Sequence, residues 1–137
     1  MVSHSEIIQV PIEKVWEHFI YKIENPQHFV PGVSNVVIHE KTSDHVLRSM
    51  DVTNPAGAKS ALVEKITSAP YWVKFLIVDH PMYEGHVDNL AEKISDTETR
   101  ITYSIHWTNK QTGETFANVD MPKMAVLKTV DYIMNNK

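Results

Sequence analysis

A chain of 137 residues holds one domain, residues 1–137, with no room for two independent cores. Its 42% hydrophobic and 22% charged residues give a globular composition, which excludes disordered and collagen-like classes. The net charge of −4 argues against a nucleic-acid partner or a polybasic membrane anchor, and the absence of cysteine excludes disulfides, thiolate metal sites and a cysteine nucleophile.

The opening MVSHSEIIQV lacks the basic and apolar blocks of a signal peptide, and no apolar run reaches membrane-spanning length, so the expected location is the cytoplasm. Residues 3–10 read as a short strand ended by Pro11, which suits the first turn of a helix because its missing N–H is not needed there. Ile12, Val15, Trp16, Phe19, Ile20 and Ile23 then recur at helical spacing and predict one buried stripe, with Trp16 and Phe19 in the core. Asn25-Pro26 stops this helix, residues 26–30 read as a second short helical turn, and Pro31-Gly32 turns the chain into a sheet.

Turn clusters then recur roughly every 10 to 14 residues, the rhythm of consecutive antiparallel strands. The strands fall near 34–41, 45–53, 58–67, 71–79, 85–95 and 99–108. Ile101, Tyr103, Ile105 and Trp107 alternate with polar residues, so the last strand has one buried and one wet face. Strand 71–79 sets Val73, Phe75 and Ile77 opposite Lys74. In strand 85–95 one phase holds His86, Asp88, Leu90, Glu92 and Ile94, and the other Val87, Asn89 and Ala91. The first would build a polar wall and the second a mostly apolar one. A final helix spans 120–135, capped by Asp120, with Met124, Leu127, Val130, Ile133 and Met134 as its apolar stripe.

Several side chains offer chemistry. Glu64, between Leu62 and Ile66, faces the interior if they do. There it would act as an acid or base, or hydrogen-bond a ligand; in the opposite phase it is solvated. His80, Tyr83 and His86 enrich the segment 79–86, which reads alternatively as an ordinary polar hairpin. Tyr103 and Trp107 would stack on a planar ligand or fill the core, and Met124 would form an adaptable lid or pack. The eight histidines are scattered, with no HExxH or close pair on one helix face, so no metal site is expected. No phosphate or dinucleotide loop is present, and no cofactor is expected.

The segments VPIEKVWEHFIYKIENPQHFVPGV and VEKITSAPYWVKFLIVDHP resemble the first helix pair and middle hairpin of the SRPBCC superfamily, with the AtaL-like group as the nearest branch. That superfamily includes START lipid-transfer domains, polyketide cyclases and birch-pollen-allergen-like proteins. The resemblance implies an α+β helix-grip fold: a curved antiparallel sheet of about seven strands, two short N-terminal helices, and one C-terminal helix packed over a cavity. It implies a small hydrophobic or aromatic ligand in that cavity, with segment 79–86 at its mouth. The ligand contacts would be Glu64, Phe75, Tyr83, His86, Asp88, Tyr103, Trp107 and Met124. The rival expectation on this scaffold is a cyclase or dehydratase for a polyketide-like or aromatic substrate, with Glu64 and His80 or His86 moving protons. A protein-interaction module is the third.

Overall fold

The computed structural model describes residues 1–137. Strand β1 (Val2–Ile8) leads into helix α1 (Ile12–Glu24) and a single 3-10 turn (Pro26–His28). Six strands follow: β2 (Val33–Lys41), β3 (Val46–Thr53), β4 (Lys59–Ala69), β5 (Trp72–Asp79), β6 (Tyr83–Ser95) and β7 (Glu98–Asn109). Helix α2 (Asp120–Asn135) closes the chain. The sheet order is β1-β7-β6-β5-β4-β3-β2, antiparallel throughout. Helix α1 thus carries the chain from one sheet edge to the other and packs on β6 and β7, while α2 lies on β1 and β7.

The expected helix-grip architecture is corrected in two respects. There is one N-terminal α-helix, not two. After Asn25 only Pro26–His28 coil, and they make a 3-10 turn before Pro31-Gly32 redirects the chain. The sheet is open and not curled around an enclosed cavity, since β1 and β2 stand at opposite ends. Where a cavity was expected between β7 and α2, side chains fill the space. Ile101, Tyr103, Val126 and Ile133 belong to one buried cluster with Val15 and Phe19, and the Tyr103 hydroxyl hydrogen-bonds Thr129 Oγ1 at 2.7 Å. Buried side chains interdigitate at crystal-like density, so this part of the interior is core.

The predicted stripe of α1 holds at Val15, Phe19 and Ile23, with Ile12 and Trp16 packed against the core, but the buried face also takes in polar residues and leaves Ile20 out; that of α2 is rotated. In α1 the buried residues are Val15, His18, Phe19, Lys22 and Ile23; Ile20 is exposed and Trp16 half-buried, edge-on to Phe19 and Tyr71. In α2 the buried face is Pro122, Val126, Thr129 and Ile133, and Met124 is 55% exposed. Nor does Asp120 cap α2: Asn118 Oδ1 accepts the Asp120 backbone N–H at 3.0 Å. The reason is common to both. Apolar counting follows Ile20, Met124 and Leu127 outward, whereas Lys22 and Thr129 find partners inside and tolerate burial.

Gly85 lies within β6 and not in a turn. Its φ of +121° is open to glycine, and a Cβ there would stand 1.9 Å from the His106 carbonyl oxygen across the β6–β7 ladder. At the far edge β2 is irregular: its pairing with β3 slips between Ser34 and Val37 and again between Ile38 and Glu40, and Asn35 takes a φ of 53°.

Candidate functional site

Two groups of sequence-predicted residues end in different places. Glu64, Phe75 and Tyr103 are buried on the inner face. Their neighbours are residues that pattern reading did not single out. Arg48 stands directly across from Glu64 in the β3–β4 register, and its guanidinium donates to Glu64 Oε1 at 2.6 Å. Arg48 and Glu64 are only 2% and 3% exposed. A second donor of Arg48 reaches the Ile23 carbonyl at 2.7 Å. That bond belongs to the accounting at the end of α1, where four carbonyls lack helical partners. Asn25 serves two others, its side chain donating to the Tyr21 carbonyl at 3.0 Å and its backbone to that of Lys22 at 3.1 Å.

Lys22 projects from this last turn into the same interior. Its ammonium donates to Asn89 Oδ1 and lies 4.2 Å from the Tyr103 ring centre and 4.9 Å from that of Phe75. Burial, then the nearby Arg48 charge, lower its pKa to about 7 against a partial pull from Glu64. Burial also raises the Tyr103 pKa, so the phenol stays protonated. Two buried donors, Arg48 Nε and Asn89 Nδ2, have no partner. The inward position of Asn89 and Ala91 settles the phase of β6 on its mostly apolar wall.

The second group gathers at the end of the sheet where β6 begins and β7 ends. Tyr83, Asn109, Glu114, Thr115, Phe116, Ala117 and Asn118 line an open pocket of about 330 Å³. Behind it the aromatic rings interlock. Tyr83 stacks on Trp107 at 5.4 Å, Phe116 stands edge-on to both, and His80 lies 5.5 Å from Tyr83. Such offset and edge-to-face geometries are the favoured ones for aromatic pairs. The connection to α2 carries Phe116 here, held by its backbone N–H to the Trp107 carbonyl at 2.9 Å. A further depression of about 390 Å³ lies between α1 and α2, lined by Lys14, Glu17, His18, Tyr21, Tyr132 and Asn136.

His80 has a defined task. Its Nδ1 accepts the backbone N–H groups of Met82 and Tyr83 at 3.0 and 3.1 Å, which sets the turn into β6 and leaves the ring proton on Nε2. Burial foremost, then Lys110, lower its pKa against a smaller opposing effect of Asp79. A folded pKa below the unfolded 6.5 means that the unfolded chain takes up the proton first, so stability falls as pH drops below 6.5. His80→Asn keeps an acceptor for both N–H groups and does not titrate. The thermal midpoint of this variant should fall less between pH 7 and pH 5 than that of the wild type, and an equal fall would remove His80 as a contributor.

His86 and Asp88 face away from the interior, on the outer side of the sheet, and Met124 is exposed, so these three do not meet Glu64, Phe75 and Tyr103. The expected scatter of histidines is corrected at one point, since the β6–β7 register sets His86 directly beside His106, next to Asp88. No helix is long and apolar enough to cross a membrane.

The same architecture occurs in solved structures of low sequence identity. An aromatase/cyclase, ZhuI, from Streptomyces sp. R1128 matches with a TM-score of 0.72 at 13% identity, over 98% of this chain and 91% of that one. A protein from Thermus thermophilus, TTHA0849, matches with a TM-score of 0.75 at 9% identity, over 99% and 98%. A START superfamily protein from Mycobacterium smegmatis matches with 0.69 at 11% identity, over 98% and 94%. These likenesses show a shared fold. No curated protein matches the chain in sequence. The model of the AtaL family, acetylaranotin biosynthesis cluster protein L, matches residues 6–136, nearly the whole length, and the chain belongs to that family.

Proposed function

We propose that this protein binds a small aromatic molecule in the pocket at the β6–β7 end of the sheet, with Tyr83 and Phe116 as its walls. The observation that carries this reading is an open pocket of about 330 Å³ backed by the interlocked rings of His80, Tyr83, Trp107 and Phe116. That volume sits within the roughly 300–1,000 Å³ of small-molecule sites. The pocket's polar residues, Asn109, Glu114, Thr115 and Asn118, suit a ligand with hydroxyl or carbonyl substituents. The occurrence of an aromatase/cyclase among the similar folds supports the same ligand class.

Binding is favoured over proton-transfer catalysis by where the three candidate groups lie. Glu64 is held by Arg48, the His80 Nδ1 is taken up by two backbone N–H groups, and His86 is on the opposite face of the sheet. None of the three lines the pocket, where it would have to meet a proton of the ligand.

The test is titration of the protein with 1-naphthol and 2-naphthol, read by tryptophan fluorescence, in wild type, Tyr83→Ala and Phe116→Ala. Losing one stacking wall is expected to weaken binding about tenfold. Equal affinity in all three proteins, or no saturable binding in the wild type, would overturn the assignment.

A further inference from the structure

We propose that His86, Asp88 and His106 form a binding site for a divalent ion of the zinc type on the outer face of the sheet. His86 and His106 are direct cross-strand partners, and their rings stack 4.5 Å apart at an interplanar angle of 14°. Asp88 lies two residues along β6 from His86, on the same face. Its Oδ2 stands 3.2 Å from His86 Nε2 and 3.4 Å from His106 Nε2, and all three donor atoms lie within 4.8 Å of one another. An ion at about 2.0–2.1 Å from tetrahedral ligands holds neighbouring donors about 3.3 Å apart. The two carboxylate-to-imidazole spacings are already those of such a site. A small inward lean of the two parallel rings brings both lone pairs onto one ion.

The surroundings fit a built site. Trp72 donates its indole N–H to the other carboxylate oxygen, Asp88 Oδ1, at 3.1 Å, which turns Oδ2 towards the imidazoles. Lys74 is the cross-strand neighbour of Asp88 on β5 yet forms no ion pair with it, so no lysine competes for Oδ2. Two imidazole nitrogens and one carboxylate oxygen select zinc, nickel, copper or iron over magnesium and calcium, which prefer oxygen alone. All three residues are partly exposed, so the ion has a route in, and its fourth position faces solvent. Gly85, beside the site, lets β6 approach the His106 carbonyl closely and keeps the two strands in this register.

The experiment is titration of the chelator-treated chain with zinc chloride by calorimetry, with cobalt(II) absorption as a parallel reading. One equivalent is expected to bind the wild type, to be lost in His86→Gln and His106→Gln, and to bind about 10–100-fold more weakly to Trp72→Phe, the usual cost of removing an outer-shell partner. Circular dichroism establishes that each variant is folded. Nitrogen NMR of the unmodified chain gives an independent reading, in which zinc should shift the ring signals of His86 and His106 ahead of the other six histidines. Wild type without zinc binding, undiminished binding in both histidine variants, or first shifts on other histidines would each overturn the proposal.

Discussion

Glu64→Gln should lower the stability of the fold by about 3–5 kcal/mol, the cost of breaking a buried ion pair by removing one partner. The substitution keeps the shape of the side chain and one oxygen for Arg48 but deletes the only carboxylate paired with that guanidinium. Arg48 would remain buried, with Lys22 close enough to feel its charge and no anion to answer either. Its hold on the Ile23 carbonyl would weaken with it, loosening the end of α1. A loss of this size corresponds to roughly 10–20 °C in thermal midpoint for a domain of this length. The double substitution Arg48→Met/Glu64→Leu removes both charges together and should be far milder, because desolvation of the pair offsets much of its attraction. Denaturant and thermal melts of the three proteins decide the matter. A Glu64→Gln variant as stable as the wild type would show that the pair contributes little to the fold. Naphthol binding by the still-folded fraction should be unaffected, since Glu64 is not among the pocket residues.

Lys22→Met is expected to work in the opposite direction and to raise stability at neutral pH. Below pH 7 the folded and unfolded chains both carry the lysine proton, and the native state bears the full cost of a buried ammonium. Between about 7 and 10.5 only the unfolded chain is still protonated, so the wild type should gain stability as pH rises through this window. At about 1.4 kcal/mol per pH unit the window amounts to about 5 kcal/mol. Methionine removes the titration and should flatten this rise. The gain is reduced by the lost bond to Asn89 and the lost contacts with the Tyr103 and Phe75 rings, together about 1–3 kcal/mol. Chemical denaturation at pH 6, 8 and 10 separates the cases. If wild type and variant show parallel pH profiles, Lys22 keeps its charge throughout and its depressed pKa is wrong.

The strands were readable because each face of the sheet repeats a simple alternation, most cleanly from Ile101 to Trp107. The bounds of α2 were readable too, since Asp120-Met-Pro opens it and its apolar periodicity stops at Met134 before the polar Asn135-Asn136. What escaped are polar residues placed where periodicity expects apolar ones. Lys22 lies on the Val15–Phe19 face of α1, and Arg48 shares its phase with Met50 on β3. Their burial depends on partners from other elements, Asn89 and Glu64, which no local pattern contains. The neighbourhood of His86 and His106 was not legible, because it depends on a bulge in the β6–β7 hairpin. A regular hairpin about Asp96-Thr97 would pair His86 with Trp107, and the irregularity between Lys93 and Ser95 is what sets His86 opposite His106. Phe116 had no signal at all, because it belongs to the connection between β7 and α2, and backbone bonds back to β7, from Asn109 to the Glu114 carbonyl and from Phe116 to the Trp107 carbonyl, bring it to the pocket.

An open sheet leaves the backbone of its outermost strand free to recruit another extended chain, the first step towards fibrils. Here β1 and β2 are the two edges, and at β2 the two slips in its pairing, with Asn35 in a left-handed conformation tied to Asp51 at 2.7 Å, throw its outer hydrogen-bonding groups out of step. A straight segment laid alongside would match only a few residues before losing register. The irregularity of β2 therefore guards that one edge against self-association, written into the backbone instead of the side chains.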